Sequence, residues 1–358
     1  MRLPVPRRDL TATRERLRAW FAAKLPRAQQ LCLSELTGPG TTGFSNDTLL
    51  FDLVCREDGR ETRRELVVRI EPGGVRVFPH YDLGEQFRVL RALACTDVPV
   101  PEVLWHEDDP RVLGAPFYVM VRVEGRIPSD TPPYHAEGWV AELAPAERTR
   151  LWWSGIEILA RIHRLDRRSL RVVEDARPGA SPLRAQLEDY RKFLDWAAQG
   201  RRHPASEAGL AWLERCAPAP PEPTALCWGD ARLGNLIFRD GRCVAVLDWE
   251  MVTLGNPAQD LAWWLFFDDH HSEGCGLPRL SGFPSPEQTV ARYESLAGRG
   301  VEHLAYYDVF AAFRFSVIMI RVATQLADAG LLPPDSDFGA NNICTRMLEE
   351  RLARVGAS

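Results

Sequence analysis

Apolar positions recur at helical spacing near the N-terminus. Leu10, Leu17, Trp20 and Phe21 predict an amphipathic helix over 9–25 with one buried side. The pattern then turns to short apolar and β-branched runs, read as strands over 34–37, 48–54 and 65–70. Asp58-Gly59 between the last two is a hairpin turn signal. A helix is expected over 84–93, and strands over 99–105 and 117–123. From about residue 125 the helical period dominates. Leu151, Trp152, Ile156, Leu159, Ala160 and Ile162 mark a helix over 147–165. Further helices are expected over 183–199, 257–267, 286–296, 302–329 and 341–355. Three short apolar strands, 225–227, 236–238 and 243–247, lie among them, and the proline-rich run 217–223 reads as a loop leading into those strands. The expected fold class is α+β in two lobes: a small β-rich N-lobe over 1–120 and a larger helical C-lobe over 121–358.

Composition narrows the function classes. A chain of 358 residues is too long for one compact core, which agrees with two lobes. At 45% hydrophobic and 26% charged, with a net charge of −5, it is neither disordered nor a basic nucleic-acid binder. The longest uninterrupted apolar run, residues 261–267, is short of the ~20 residues a membrane span needs. The opening MRLPVPRRDL has charge but no apolar core behind it, so no secretory leader is expected. Eight cysteines are scattered without a C-x-x-C pair, and buried free thiols in a reducing cytoplasm are expected.

The chemistry concentrates in Trp228-Gly229-Asp230-Ala231-Arg232-Leu233-Gly234-Asn235, followed by Asp248-Trp249-Glu250. Asp230 and Asn235 are five apart, and Asp248 lies 18 residues after Asp230. Each adjoins a short strand. Phosphoryl transfer uses such a set: one carboxylate orients the attacking hydroxyl and accepts its proton, while a second carboxylate and an amide oxygen hold Mg²⁺ against the phosphates. Neither a Gly-x-Ser-x-Gly elbow nor a Walker A loop is present.

This segment resembles the aminoglycoside phosphotransferase / choline kinase family, whose motif runs His-Gly-Asp-x4-Asn, Asp-Trp-Glu, then Gly-x-Pro-x-x-Asp-Leu-Ala. Here the last part is Gly255-Asn256-Pro257-Ala258-Gln259-Asp260-Leu261-Ala262. The nearest branch includes the kinase-like domains attached to acyl-CoA dehydrogenases. The resemblance implies a bilobal protein-kinase-like fold that uses ATP or GTP with Mg²⁺ to phosphorylate a hydroxyl of a small molecule. It implies Asp230 as the catalytic base, Asn235 and Asp248 as metal ligands, and Glu250 as a partner outside the ligand set. Asp260 is expected to bond backbone near the start of its own helix. Trp228 stands where the family has histidine, and its single donor cannot copy every bond of that residue.

The N-terminal half follows the same order. Gly43, Phe44, Ser45 and Asn46 fit a loop over the triphosphate. Arg69 fits the strand cation that reaches the phosphates, with Glu85 as its expected ion-pair partner. Met120 and Arg122 lie in the expected hinge that reads the nucleotide base. His163-Arg164-Leu165-Asp166 mimics a catalytic loop but lacks the asparagine, so His163 is expected to be structural. Asp268, Asp269 and His270 are expected to line the acceptor pocket, and the acidic Asp268, Asp269 and Glu273 are expected to attract a cationic acceptor. Three readings follow: an antibiotic kinase, a metabolic kinase for a hydroxyacyl thioester or related metabolite, and a nucleotide-binding module without transfer activity.

Overall fold

The computed structural model describes residues 8–38, 47–73, 76–166, 181–220, 222–333 and 335–356. Five antiparallel strands build the N-terminal sheet in the order β1-β2-β3-β5-β4: β1 (Gln29–Leu33), β2 (Asp47–Glu57), β3 (Arg60–Ile70), β4 (Val103–Glu107) and β5 (Phe117–Val121). The β2–β3 hairpin closes on Asp58 and Gly59, both left-handed (φ 49° and 79°), the conformation that twists in step with the strands. Helix α1 (Leu10–Lys24) covers one face, packing Leu17, Trp20 and Phe21 on Phe51, Leu66, Val68, Ile70 and Phe117. Leu10, expected on the buried side, is 41% exposed.

Strand alternation sends Val67, Tyr118 and Met120 to the opposite face, where α2 (Leu83–Leu93) joins the main core. Arg69, two residues beyond Val67, shares that face. The strand expected at 34–37 lies earlier, at β1, and Thr37 forms only an isolated bridge to Leu50. The glutamines of β1 hid it, since Gln29 and Gln30 are on its exposed end.

The remainder is helical: α3 (Pro110–Leu113), α4 (Trp139–Glu142), α5 (Pro145–Arg164), α6 (Pro182–Ala198), α7 (Pro204–Arg215), α8 (Ala258–His271), α9 (Pro286–Ala297), α10 (Leu304–Asp328) and α11 (Ile343–Arg354). Two antiparallel ribbons, β6 (Ala225–Cys227) with β9 (Thr253–Gly255) and β7 (Leu236–Arg239) with β8 (Arg242–Val246), lie among them. Helix α10 is the axis, packed by α6, α7, α8 and α11. By length and composition it could cross a membrane (mean hydropathy 1.5), but 83% of its apolar window is buried inside the fold. Helix α7 was not expected. Its buried side includes Ala205, Ser206 and Gly209, and the missing side chain of Gly209 admits Leu348, so the stripe reads weakly in sequence. All eight cysteines are free thiols, but Cys32, Cys95 and Cys216 are exposed rather than buried.

Candidate active site

The site is built where β6 ends. Gly229 follows Trp228 at φ 90°, and a Cβ there would collide with the Met251 carbonyl, so the turn requires glycine. Asp260, in the first turn of α8, clamps that turn from across the fold. Its Oδ2 accepts from the Trp228 amide at 2.6 Å and its Oδ1 from the Gly229 amide at 2.9 Å. Its helix start, where the sequence placed its bonds, is served instead by Asn256, whose Oδ1 accepts from the Ala258 amide. His163, at the end of α5, lies with Nε2 at 3.0 Å from Asp260 Oδ2 and Nδ1 at 2.6 Å from the Tyr293 hydroxyl. All of these groups are buried.

The turn delivers Asp230 into a fixed set of donors. Oδ1 accepts from Trp263 Nε1 at 2.8 Å and Arg232 Nε at 3.0 Å. Oδ2 accepts from Asn235 Nδ2 at 2.6 Å and from the same Arg232 Nε at 3.1 Å. A carboxylate offers about four lone-pair directions. Three donors therefore leave room for one more, such as an acceptor hydroxyl. Asn235 Nδ2 also reaches the Asp230 carbonyl at 3.1 Å, so its Oδ1 is turned away and receives no hydrogen bond among the described residues.

Trp228 replaces the expected histidine without loosening this loop. Its indole N–H donates to the carbonyls of Leu247 (2.8 Å) and Asp248 (3.1 Å). The Leu247 amide in turn donates to the Asn235 carbonyl at 2.9 Å. Asp230, Asn235 and Asp248 are thus joined by consecutive bonds. Asp248 adopts a left-handed φ of 58°, an uncommon conformation that recurs at functional sites. Arg69 Nη2 donates to Asp248 Oδ1 at 3.0 Å. Burial works against the Arg69 charge, but Asp248, with Tyr118 and Glu250 beside it, outweighs burial and raises its pKa.

Several expected partners are elsewhere. Glu85 does not pair with Arg69. It is half-buried near Asp82 and Arg88, and burial with the Asp82 charge raises its pKa. Arg122 turns its guanidinium to Glu65, and its backbone N–H donates to the Glu65 carbonyl at 2.9 Å. Met120 is a buried side chain within β5, opposite Val67 of β3 on one side and Val103 of β4 on the other. Gly43, Phe44, Ser45 and Asn46 lie outside the described residues.

The expected acidic pocket is neutralised. Asp268 is buried and bonded to Tyr134 Oη (3.0 Å), His135 (3.0 Å) and Arg279. Burial alone would raise its pKa, but His135 and Arg279 hold it below the ordinary value. Asp269 accepts from Arg351 of α11 at 2.7 Å. His270 packs among Phe266, Phe267 and Phe315 and makes no hydrogen bond to a carboxylate among the described residues. Residues that the sequence reading passed over, Arg232, Trp263 and Arg314, complete the site. Arg314 Nη2 holds the Gly229 carbonyl at 2.9 Å and lies 4.3 Å from the Trp263 ring. Arg232 was visible inside the motif, whereas Trp263 and Arg314 had only helical spacing to mark them.

Burial, with the neighbouring His271, pushes His270 down to about 3; burial, offset in part by Asp130, pushes His271 to about 4. Both are neutral in the fold at pH 7 and bind protons more readily when unfolded, where the ordinary value is 6.5. Their stabilisation is therefore complete above about pH 6.5 and lost as pH falls toward 4. The melting temperature is expected to drop between pH 7 and 5, and the His270→Asn/His271→Asn double variant to show a flatter profile. Equal slopes in thermal melts would contradict this.

The donor set suits a magnesium triphosphate. Asn235 Oδ1 and the Asp248 carboxylate are the hard oxygens magnesium takes. Among the described residues Arg69 Nε is buried without a partner, a donor suited to a phosphate oxygen. A family model for the phosphotransferase enzyme family matches residues 41–292. The chain belongs to this phosphotransferase family. It is 32% identical over 227 residues to the human acyl-CoA dehydrogenase family member 11, covering 60% of this chain and 28% of that protein. It is 33% identical over 269 residues to the mouse acyl-CoA dehydrogenase family member 10, covering 72% of this chain and 24% of that one. The phosphotransferase thus spans under a third of the length of these relatives. Among solved structures, a Ralstonia eutropha protein classed with the aminoglycoside phosphotransferases superposes with a TM-score of 0.67 at 26% identity, covering 95% of this chain and 98% of that one. The aminoglycoside phosphotransferase APH(4)-Ia, complexed with ADP and hygromycin B, shares the fold (TM-score 0.59, 17% identity, 96% and 99% covered). The phosphotransferase therefore has the bilobal protein-kinase-like fold, with a small sheet lobe and a larger helical one.

Proposed function

We propose that this phosphotransferase moves the γ-phosphoryl group of ATP onto the hydroxyl of a small metabolite, with a hydroxyacyl compound as the acceptor class. The observation that carries the reading is the bonded chain Asp230–Asn235–Leu247–Asp248, which gathers one base and two hard-oxygen ligands at the face of Arg69. In the reaction the acceptor oxygen bonds to the γ-phosphorus, the bond from that phosphorus to the β-bridging oxygen breaks, ADP leaves, and Asp230 takes the hydroxyl proton. Asn235 and Asp248 would hold Mg²⁺, which neutralises phosphate charge when bound. Arg69 would turn its Nε, which has no partner among the described residues, toward the phosphates. Trp263, Arg232 and Asn235 aim the Asp230 carboxylate, so most of the contribution is positioning.

The hydroxyacyl class is favoured over a polycationic antibiotic by two observations. Asp268 and Asp269, the acidic residues expected to attract a cation, are engaged by Arg279 and Arg351. The matched relatives are named acyl-CoA dehydrogenase family members. The test is transfer of radiolabelled γ-phosphate from Mg·ATP to panels of hydroxyacyl compounds and aminoglycosides. Labelling of aminoglycosides alone would reverse the acceptor assignment. In parallel, Mg·ATP is expected to raise the melting temperature of the wild type, and Asp248→Ala to lose most of that rise. An unchanged rise in Asp248→Ala would remove Asp248 from the metal site.

A further inference from the structure

The catalytic loop holds a second acidic residue that the motif does not contain. Asp130 lies nine residues beyond the end of β5, and its Oδ2 accepts from Arg232 Nη1. Its Oδ1 is buried without a hydrogen bond among the described residues, 3.7 Å from His271 Nε2. Arg232 is consequently held at both ends: Nε on Asp230, Nη1 on Asp130, with the Phe267 ring 5.3 Å from its guanidinium carbon.

This division is unusual for a buried guanidinium beside a carboxylate. Left alone, such a pair closes into a fork with two parallel N–H···O bonds. Here only Nε touches Asp230, straddling its two oxygens at 3.0 and 3.1 Å; Nη2, whose N–H runs parallel to Nε–H, makes no hydrogen bond to Asp230, and the Nη1–Asp130 bond resists the turn that would bring it there. The loop is shaped for the arrangement. A Cβ on Gly234 would collide with both Asp130 carboxylate oxygens and with Arg232 Nη1. Gly234 sits inside the 3₁₀ turn Leu233–Asn235 with no left-handed φ, so its backbone does not demand glycine. The bare Cα serves the space that Asp130 enters.

We propose that Asp130 is a positioning residue for phosphoryl transfer: by holding one end of Arg232 it keeps the guanidinium from closing over Asp230, and so leaves that base open to the acceptor hydroxyl. The proposal rests on the reading of Asp230 given above. Without the Asp130 carboxylate to hold Nη1, Arg232 turns Nη2 onto Asp230 beside Nε and takes the remaining lone-pair direction. His271, His270 and Asp248 also face this pair, but none of them bonds Arg232.

Two measurements test it. The first is kinetic, using Mg·ATP with water as the acceptor and then with hydroxyacyl compounds. Asp130→Ala is expected to lower kcat about ten- to a hundredfold, the cost of ångström-scale misplacement, with KM for ATP within about twofold. In an Arg232→Gln background the same change is expected to have no further effect, because there is no guanidinium left to close. Asp130→Asn, which keeps an oxygen for Nη1, should recover most of the loss. Wild-type kcat in Asp130→Ala, or losses that multiply in the double variant, would overturn the proposal. Asp130→Ser gives the same reading should Asp130→Ala not fold. The second measurement is the crystal structure of Asp130→Ala, with two Arg232 nitrogens expected on Asp230. An Arg232 that stays in place would overturn the proposal even if the wild type transfers phosphate. A wild type that transfers nothing would remove the function reading, and the crystal structure would still decide the positioning claim.

Discussion

Asp230→Asn is expected to lower phosphoryl transfer by about 10²–10⁴-fold, the usual worth of a general base. The substitution is isosteric, so its effect is chemical. The amide cannot accept a proton from the acceptor, yet its single oxygen can still receive a bond. Which bond survives is constrained by the surroundings. Trp263 Nε1 and Asn235 Nδ2 donate to opposite oxygens of Asp230. An asparagine there must present its own N–H₂ to one of those two donors, leaving a buried donor unpaired at a cost of about 1–3 kcal/mol. The variant is thus expected to melt somewhat lower while binding Mg·ATP with near-normal KM. Near-normal kcat in steady-state assays would remove Asp230 from the chemistry.

Asp260→Ala is expected to be the most damaging single substitution for stability, at about 3–5 kcal/mol, the range for breaking a buried charged cluster. Its carboxylate is fully buried and receives the Trp228 and Gly229 amides together with contact from His163. Removing it strands two amides and leaves the Trp228-Gly229 turn without its clamp. Loop position and stability should fall together: chemical denaturation would show the lost stability, and residual folded protein would show reduced turnover. Asp260→Asn can restore one amide bond but not both, and is expected to lie between the two. A stability for Asp260→Ala within 1 kcal/mol of wild type would contradict this account.

The motif spacing was legible because it encodes local chemistry. Asp230, Asn235 and Asp248 stand at the ends of short strands, and neighbouring strands bring them together. The partners of these residues were less legible, because they depend on how distant helices pack. Arg69 was matched with Glu85 on spacing alone, but the helix carrying Glu85 leaves it beside Asp82 and Arg88, while Asp248 and Glu250 draw the guanidinium across the cleft. The acidic run in the last turns of α8 looked like a site for cations. Arg279, in the following loop, and Arg351, at the far end of the chain, neutralise it, and no local pattern announces either. Trp228 raised doubt on its missing acceptor, yet the loop uses only a donor at that position. Asp130 carries no motif, and only Gly234 inside the loop hinted that something must approach closely.

The most direct test is a crystal structure with a non-hydrolysable ATP analogue and magnesium. The expected result is one metal ion about 2.1 Å from Asn235 Oδ1 and an Asp248 carboxylate oxygen, with Arg69 turned to the phosphates and the terminal phosphate opposite Asp230. Nucleotide bound away from these three side chains, or metal held without Asn235 and Asp248, would contradict it.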